Sequence, residues 1–443
     1  MKESYSNVLE KETGILVGAQ VGPPNGESLS LEDSLAELEL LAETAGVEVV
    51  GMLTQQLETV NPRTFIGSGK VEELKLLATE LGVNMVIFDE ELSPRHQREL
   101  EGVLGESIKI IDRTALILDI FAQHARTYEG MLQVELAQLE YRLPRLTHAW
   151  VHLERQAGGG GGRAGGVGGV GLRGPGEKQL ELDRREIKKR ISRIKDELKK
   201  VQEQRSQHRA HRRKTNIPVV SLVGYTNAGK STLMNSLTHA GIYVADQLFA
   251  TLDPTTRQLE LPNGQAVLLT DTVGFIQKLP TQLIAAFRAT LEEITEADLL
   301  VHIVDAAHEN AIEQQRTVLG TLHEIGAGDI PILTVFNKID LLDEHAREEM
   351  RQITDPQAIF ISAKTGEGFD TLLTAIGREL VSQYTQITVF LPFEQGQLRS
   401  LFHERGKVQY TESTADGIRM SGYIPKELVN LFAPYQLKLE KQK

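Results

Sequence analysis

Residues 219–233 carry the strongest chemical signal in the chain, VVSLVGYTNAGKSTL. The stretch from Gly224 to Ser231 fits the phosphate-binding pattern G-x-x-x-x-G-K-[ST], with an apolar strand before it and a helix start after it. Gly224 and Gly229 let the backbone approach an anion, which successive N–H groups and the helix N-terminus can face. Lys230 can reach β- and γ-phosphates, and Ser231 offers a hydroxyl to Mg²⁺. We predict a phosphate loop here, with a surface turn as the alternative.

A second motif, DTVG at residues 271–274, closes the apolar run AVLLT. Strand ends carry the chemistry in doubly wound sheets. Asp271 is therefore placed to hold the Mg²⁺ shell, and the N–H of Gly274 to sense the γ-phosphate. A simple turn is the alternative for this motif alone.

Two further motifs, NKID at residues 337–340 and SAK at residues 362–364, indicate the base. A carboxylate at Asp340 can accept two hydrogen bonds from guanine, from N1–H and the exocyclic amine, whereas adenine offers no matching pair of donors. Backbone N–H groups of the second motif can meet the guanine carbonyl. A helix cap or a chance match could explain either motif alone, but the shared order and strand-end placement of all the motifs predict a guanine-nucleotide site.

A switch segment is expected at FATLDPT, between the phosphate loop and Asp271. Thr251 is our choice for a second hydroxyl on Mg²⁺, ordered by the γ-phosphate and released after hydrolysis, with Thr255 and Thr256 as weaker alternatives. Position 275 is Phe, where many GTPases of this class have a water-orienting Gln. We therefore predict slow intrinsic turnover that a partner accelerates.

The predicted site comprises three overlapping sets of residues. The catalytic set is Lys230, Thr251 and Gly274, and the metal ligands are Ser231, Thr251 and Asp271. The nucleotide-binding set is Gly224, Tyr225, Thr226, Asn227, Ala228, Gly229, Lys230, Ser231, Thr232, Phe249, Ala250, Thr251, Leu252, Asp253, Asp271, Thr272, Val273, Gly274, Asn337, Lys338, Asp340, Ser362, Ala363 and Lys364. The implied cofactors are Mg²⁺ and GTP or GDP.

The elements that position these residues belong to a chain of 443 residues, which predicts about three domains. The absence of Cys excludes disulfides and thiolate zinc sites. No apolar run approaches the roughly 20 residues of a membrane span, and the N-terminus lacks a signal-peptide core, so a cytoplasmic protein without a membrane span is expected. The net charge of −13 argues against a generally basic nucleic-acid binder, although an average can conceal a local patch.

Residues 1–128 are predicted to form a small α/β domain. Strand-like runs alternate with helical patterns and indicate a parallel sheet. The strands are predicted at 15–21, 47–53, 83–89 and 108–112, and the helices at 31–45, 71–81 and 94–103. The stretch GSGK at 67–70 superficially resembles a phosphate loop, but its glycine spacing is wrong and no apolar strand feeds it, so we interpret it as a turn.

Residues 129–214 are predicted to form an antiparallel helical hairpin. Six leucines and Trp150, spaced by three and four residues, run from 132 to 153 and are interrupted only by Pro144, and a second seam runs from 180 to 201. The Gly-rich loop 157–176 lies between them as the tip. The second arm, 177–214, has fifteen Lys or Arg against seven Asp or Glu, a charge of +8. We interpret this arm as an RNA contact, with a solvated face as the alternative.

Residues 215–383 are predicted to form a doubly wound, phosphate-loop GTPase domain of the α/β class, and residues 384–443 a small α/β C-terminal domain. In the tail, QITVFLPF and GIRMSGYIP are strand-like, and a helical stretch separates them. The tail carries no catalytic constellation, so a docking or capping role is the default.

Together, GYTNAGKST, FATLDPT, DTVGF, NKID, SAK and the Gly-rich loop before the basic arm resemble the HflX family of ribosome-associated GTPases. The resemblance covers nearly the whole chain, and a hydrophobic residue at position 275 is typical of the family. It implies GTP hydrolysis, binding to the large ribosomal subunit and its RNA, and dissociation of stalled or idle ribosomes under stress. It also implies ATP use by the N-terminal part of some members, for which this chain shows no motif.

The leading hypothesis is a GTPase switch that splits ribosomes. The alternative is a ribosome-assembly or RNA-chaperone GTPase, in which GTP only times the release of the basic hairpin. A monomer in free solution is expected in both cases.

Overall fold

The structure is a computed structural model. It describes residues 12–22, 30–105, 107–147, 175–214, 217–238, 248–249, 253–278 and 288–437. Three predicted features lie outside these ranges: the switch residues Ala250, Thr251 and Leu252, the end of the first helical seam at 148–153, and the Gly-rich loop except for its last two residues.

The N-terminal unit is built on a parallel four-stranded sheet in the order β2-β1-β3-β4, as predicted. Its strands are β1 Glu12–Val21, β2 Val47–Leu57, β3 Met85–Phe88 and β4 Lys109–Asp112. All four residues of β3 are buried, which explains its continuous apolar sequence. Because β3 and β4 are neighbouring parallel strands, their carboxyl ends meet at one edge of the sheet, where Asp89 and Asp112 are buried.

Four helices accompany this sheet: α1 Leu31–Thr44, α2 Ser68–Leu81, α3 Pro94–Leu104 and α4 Arg113–His124. The predicted turn at 67–70 is wrong, because Gly67 is the N-cap of α2 and the helix begins at Ser68. Helix α4 was missed, since it follows β4 without a separate turn. Asp112 ends that strand, and its carboxylate accepts a hydrogen bond from the N–H of Ala115 at 2.9 Å as the helix cap.

The hairpin consists of α5, Tyr128–Arg142, and α6, Pro175–Lys214. The 40 residues of α6 span about 60 Å. Leu132 and Leu136 pack against Ile194. The two helices are antiparallel, because Glu129 pairs with Arg205 and Glu135 with Arg190. Helix α5 ends at Arg142, before Pro144, and a 3-10 turn follows at Arg145–Thr147. The end of the predicted first seam, residues 148–153, lies outside the described residues.

The GTPase unit contains a six-stranded sheet in the order β10-β9-β8-β5-β7-β6, in which only β6 is antiparallel to its neighbour. Its strands are β5 Val219–Gly224, β6 Thr255–Glu260, β7 Ala266–Asp271, β8 Leu299–Asp305, β9 Ile332–Asn337 and β10 Ile359–Phe360. Its helices are α7 Lys230–Thr238, α8 Arg288–Thr295, α9 Ala311–Glu324, α10 Glu344–Ile353 and α11 Phe369–Ser382. The predicted doubly wound fold is confirmed, and β6 is an addition that sequence analysis missed.

The C-terminal unit is an antiparallel sheet in the order β11-β13-β12 with helices beside it. Its elements are β11 Tyr384–Pro392, α12 Gly396–Arg405, β12 Lys407–Ser413, β13 Gly417–Pro425 and α13 Val429–Phe432. Strand β12 was not predicted, because its sequence KVQYTES is polar for a strand. The domain limits given above stay predictions.

One apolar core extends from the N-terminal unit into the GTPase unit. The rings of Phe121 in α4 and Phe249 in the predicted switch segment meet edge to face, with centroids 4.6 Å apart. Val223 and Phe275 belong to the same cluster as Leu16. The nucleotide motifs are thus packed directly against the N-terminal unit.

Candidate nucleotide-binding site

The phosphate loop connects β5 to α7 and is shaped by two glycines with positive φ. Gly224 has φ +154°, and a Cβ there would lie 2.2 Å from the carbonyl oxygen of Ile303. Gly229 has φ +96°, and its Cβ would lie 2.2 Å from Nδ2 of Asn337. Neither position can accept a side chain without moving the neighbouring strand ends. Between them, Asn227 adopts the left-handed conformation that Asn tolerates better than most residues.

Lys230 is buried at the first position of α7. Its ammonium donates to the carbonyl oxygens of Gly224, at 3.1 Å, and Tyr225, at 2.7 Å. Burial lowers the pKa of Lys230 to about 8, while the negative charge of Asp271 opposes that shift. A cation held inside the loop in this way is positioned to attract an anion.

Ser231 and Asp271 lie together at the ends of α7 and β7. The Ser231 hydroxyl donates to Oδ2 of Asp271 at 2.6 Å, and Asp271 is fully buried. A hydroxyl and a carboxylate are the hard oxygen donors that Mg²⁺ prefers, so these two residues fit the predicted metal. Thr251, the third predicted ligand, lies outside the described residues. Among the described residues, no group of three or more His, Asp or Glu could hold a metal.

The DTVG motif is fastened to the phosphate loop by backbone hydrogen bonds. Phe275 donates to the carbonyl of Gly224 at 3.0 Å and accepts from the N–H of Thr226 at 2.8 Å. A Cβ on Gly274 would lie 2.8 Å from Cα of Thr226 and 3.1 Å from Nζ of Lys230. Thr272 donates to the carbonyl of Leu222 at 2.7 Å. Gly274 therefore lies close to the lysine that is predicted to bind phosphate.

The side chain of Phe275 is buried in the shared apolar core. It carries no hydrogen-bonding group and cannot orient a water molecule. The structure thus gives a reason for a hydrophobic residue here: it packs the DTVG segment onto the body of the protein.

The predicted guanine end brings the phosphate loop, NKID and SAK into one hydrogen-bonded group. Asn337 donates through Nδ2 to the carbonyl of Ala228 and accepts through Oδ1 from the N–H of Ala363, each at 2.8 Å. The hydroxyl of Ser362 donates to Oδ1 of Asp340 at 2.6 Å. These contacts fix the carboxylate and the SAK backbone relative to the loop.

Four other predicted residues have different surroundings. Lys338 has φ +65°, and its ammonium pairs with Asp305 at 2.7 Å, a partner that sequence analysis missed. Lys364 is exposed, and Thr232 is half-buried in α7. Val273 is partly buried against the shared core.

The predicted switch segment is described only at its ends. Phe249 is buried, as noted above. The carboxylate of Asp253 lies against α5 rather than the phosphate loop, accepting from the N–H groups of Arg126 at 3.0 Å and Thr127 at 2.8 Å. The alternative metal ligands Thr255 and Thr256 lie in β6, where the Thr256 hydroxyl bonds that of Thr270 at 3.0 Å.

Known protein families match most of the chain. Four family profiles match the chain: "GTP-binding GTPase N-terminal" at 32–122, "GTP-binding GTPase Middle Region" at 124–212, "50S ribosome-binding GTPase" at 219–338 and "HflX C-terminal domain" at 349–422. The chain is 46% identical to GTPase HflX of Caldanaerobacter subterraneus, over 95% of this chain and 92% of the relative. The chain belongs to the HflX family of GTPases. The predicted family, fold class and GTPase activity are thereby confirmed.

Other HflX relatives give similar values. GTPase HflX of Escherichia coli is 45% identical over 87% of this chain and 88% of its own length. Among solved structures, the chain resembles a GTP-binding protein from Sulfolobus solfataricus in complex with GDP. That protein is 25% identical, the match covers 84% of this chain and 99% of that chain, and the TM-score is 0.41. At this TM-score the likeness supports no further conclusion.

The basic arm of this HflX-family chain uses some of its cations within the hairpin. Arg190 bonds Glu135 at 2.6 Å, and Lys195 bonds Glu140 at 2.8 Å. Lys188, Lys189, Lys199 and Lys200 are exposed. No described helix combines the length and apolarity needed to cross a membrane.

Proposed function

We propose that this GTPase binds the large ribosomal subunit through α6 and dissociates stalled or idle ribosomes under stress. The observation that carries the proposal is the joining of two features in one chain: a GTPase unit that matches the 50S ribosome-binding profile, and a long helix with exposed cations. An arm of charge +8 on a chain of net charge −13 is steered toward a polyanion such as ribosomal RNA. The protein would then act in the cytoplasm, as a monomer when free.

The proposal assigns a role to each residue of the site, and the contacts described above support these roles for all of them except Thr251, which lies outside the described residues. Lys230 binds the β- and γ-phosphates, and Ser231, Thr251 and Asp271 hold Mg²⁺, which neutralises developing charge on the phosphates when bound. The N–H of Gly274 senses the γ-phosphate. Asp340 binds the guanine edge, supported by the remaining predicted residues of the loop, NKID and SAK.

Turnover without a partner is slow in this proposal, because Phe275 supplies no group that orients water. In this proposal, the bound ribosome supplies the group that orients the water molecule. Addition of large subunits should therefore raise kcat, and equal rates with and without them would contradict this part of the proposal.

Co-sedimentation with ribosomes tests the main claim. Binding with a non-hydrolysable GTP analogue should exceed binding with GDP, because a nucleotide can shift the equilibrium only by its differential affinity for the two states. Purified protein with the analogue should also split ribosomes into subunits. If splitting never occurs while precursor ribosomal RNA is bound, the assembly or RNA-chaperone alternative is correct.

Two variants locate the interaction. Lys230→Ala should lose nucleotide binding and the nucleotide dependence of pelleting. Neutralising Arg184, Arg185, Lys188 and Lys189 should weaken ribosome binding and flatten its salt dependence by up to about four in log–log slope, with intrinsic GTPase activity intact. Neutralising four cations elsewhere, Arg316, Arg351, Arg378 and Arg399, is the matched control. Equal weakening by both sets would mean that α6 is only a solvated face.

A further inference from the structure

A polar cluster that is largely buried, except at Lys278, joins the N-terminal unit to the phosphate loop. We call Glu37, Asp89, Arg113, Tyr225 and Lys278 the interdomain cluster. Arg113 is only 2% exposed and lies between the two carboxylates: its guanidinium donates to Oδ1 of Asp89 at 2.6 Å and to Glu37. A buried cation with two anionic partners fixes their positions, since separating them would leave unpaired charge in the interior.

Tyr225 connects this cluster to the nucleotide motifs. It is the second residue of the phosphate loop, and its hydroxyl donates to Glu37 and accepts from the N–H of Gln277 at 2.8 Å. Burial and the nearby charge of Glu37 raise the pKa of Tyr225, so the phenol keeps the proton that it donates. The hydroxyl of Tyr225, a residue of the phosphate loop, therefore contacts both the N-terminal unit and the segment that follows Gly274.

Lys278 forms a second connection, four residues after Gly274. Its ammonium lies 2.5 Å from Oδ2 of Asp89 and 2.6 Å from Oε1 of Glu90. Its backbone has φ +52°, a conformation that residues other than glycine rarely adopt. The two carboxylates of the N-terminal unit thus hold a strained residue in place.

A displacement of Tyr225 or of Lys278 would also displace the groups that are predicted to bind phosphate. As described above, Phe275 is bonded through its backbone to Gly224 and Thr226, and Gly274 lies next to Lys230. Lys278 is three residues beyond Phe275 along the chain. Small displacements of groups that contact a substrate are costly, because binding depends on preorganised geometry.

We propose that Glu37 and Asp89 of the N-terminal unit are positioning residues for the nucleotide site. Glu37 acts through Tyr225 on the phosphate loop, and Asp89, with Glu90, acts through Lys278 on the segment that carries Gly274. The proposal rests on the residue roles given under Proposed function. It predicts that the Lys278 connection affects only the binding of a nucleotide with a γ-phosphate, since GDP lacks the phosphate that Gly274 senses, whereas the Tyr225 connection affects both nucleotides.

The first test uses Lys278→Met in the full chain. Dissociation constants are measured by fluorescence with mant-GDP and with a mant-labelled, non-hydrolysable GTP analogue. The analogue should bind about tenfold more weakly than to the wild type, and GDP should bind within about twofold of it. Lys70→Met is the control, because Lys70 pairs with Glu73 on α2, within the N-terminal unit.

The second test uses Tyr225→Phe, which should weaken both nucleotides by about tenfold. The matched control is Tyr141→Phe, since Tyr141 is also buried and its hydroxyl donates to Asp112 at 2.8 Å, within the N-terminal side of the molecule. Tyr141→Phe should lower thermal stability to a similar degree while leaving both dissociation constants unchanged. In the Tyr225→Phe background, Glu37→Ala should weaken nucleotide binding little further, because the proposal has Glu37 act on the nucleotide through the Tyr225 hydroxyl; its bond to Arg113 is lost as well.

The outcomes separate two kinds of failure. If Lys230→Ala still binds nucleotide, the assignment of the site itself is wrong. If Lys230→Ala loses binding but Lys278→Met and Tyr225→Phe bind both nucleotides as the wild type does, the cluster only holds the units together and the positioning role is wrong. A selective loss of the GTP analogue in Lys278→Met supports the proposal.

Discussion

The guanine end of the site and the interdomain cluster are both hydrogen-bonded and largely buried, but they are built from different parts of the sequence. At the guanine end, Asn337 bonds Ala363 across 26 positions and Ser362 bonds Asp340 across 22. In the interdomain cluster, Tyr225 bonds Glu37 across 188 positions and Lys278 bonds Asp89 across 189. The first group follows from one sheet, whereas the second exists only because two units pack together.

This difference shows which residues a sequence motif can identify and which it cannot. NKID and SAK follow strands of one parallel sheet, so their side chains must meet at its carboxyl edge. Glu37 lies in the helix sequence LEDSLAELELLAET, where an acidic residue looks like part of a solvated face. Motifs therefore predict the groups that contact the ligand, and the folded chain is needed to identify the groups that hold them.

The largest expected effect comes from Gly229→Ala, which disrupts the packing of the phosphate loop against Asn337 at the guanine end. The new Cβ would overlap Nδ2 of Asn337 in a backbone with φ +96°. Nucleotide affinity should fall by more than about a hundredfold, measured by mant-GDP titration. Gly264→Ala is the control, since Gly264 has φ +77° with open space around it. A similar loss in both variants would mean that backbone strain, not the contact with Asn337, is responsible.

Asp340→Asn tests the guanine end alone. The preference for GDP over ADP should fall by about tenfold to a hundredfold, because a charged acceptor of two hydrogen bonds is lost. Competition titrations against mant-GDP measure the preference. Asp343→Asn is the matched control, because Asp343 caps α10 by accepting from the N–H of Ala346 at 2.8 Å. An unchanged preference in Asp340→Asn would remove this residue from base recognition.

His302→Gln tests a buried group that belongs to neither region. His302 lies in β8 and is 1% exposed, and burial, with a smaller effect of Lys230, lowers its pKa from 6.5 to about 3. Between these values the unfolded chain binds a proton that the folded chain does not, so stability falls as pH falls through this window.

The wild type should lose up to about 1.4 kcal/mol of unfolding free energy per pH unit from this group, and His302→Gln should lose correspondingly less. Urea unfolding between pH 6.5 and 4 measures the difference. The exposed His345 provides the control variant, His345→Gln. Parallel curves for the wild type and His302→Gln would contradict the assigned pKa.

The smallest expected effect comes from Asp253→Ala, which removes a contact between the GTPase unit and the residues just before α5. Loss of its bonds to the N–H groups of Arg126 and of Thr127, the N-cap residue of α5, should destabilise the start of this helix by about 1 kcal/mol. Hydrogen exchange should become faster at the first-turn amides of α5 and remain unchanged in α10. Asp343→Ala should show the reverse pattern. Unchanged exchange in α5 would show that Asp253 does not stabilise this helix.

Much of the fold could be predicted from the sequence, because apolar runs that alternate with amphipathic stretches identify a parallel sheet. Helix α4 was missed because one aspartate serves two elements, and β6 and β12 were missed because edge strands with polar residues lack a strand pattern. Of the site, the motif residues were identifiable. The orientation of Asp253 toward α5 was not, because its partners lie 126 and 127 positions away.

The core shared by the N-terminal and GTPase units has a practical consequence for dissecting the protein. Cutting the chain near residue 215 would expose apolar residues such as Phe249 and Phe275 to water on one fragment and Phe121 on the other. Each fragment would tend to aggregate, and kinetics measured on an excised GTPase unit would describe a damaged enzyme rather than a detached module.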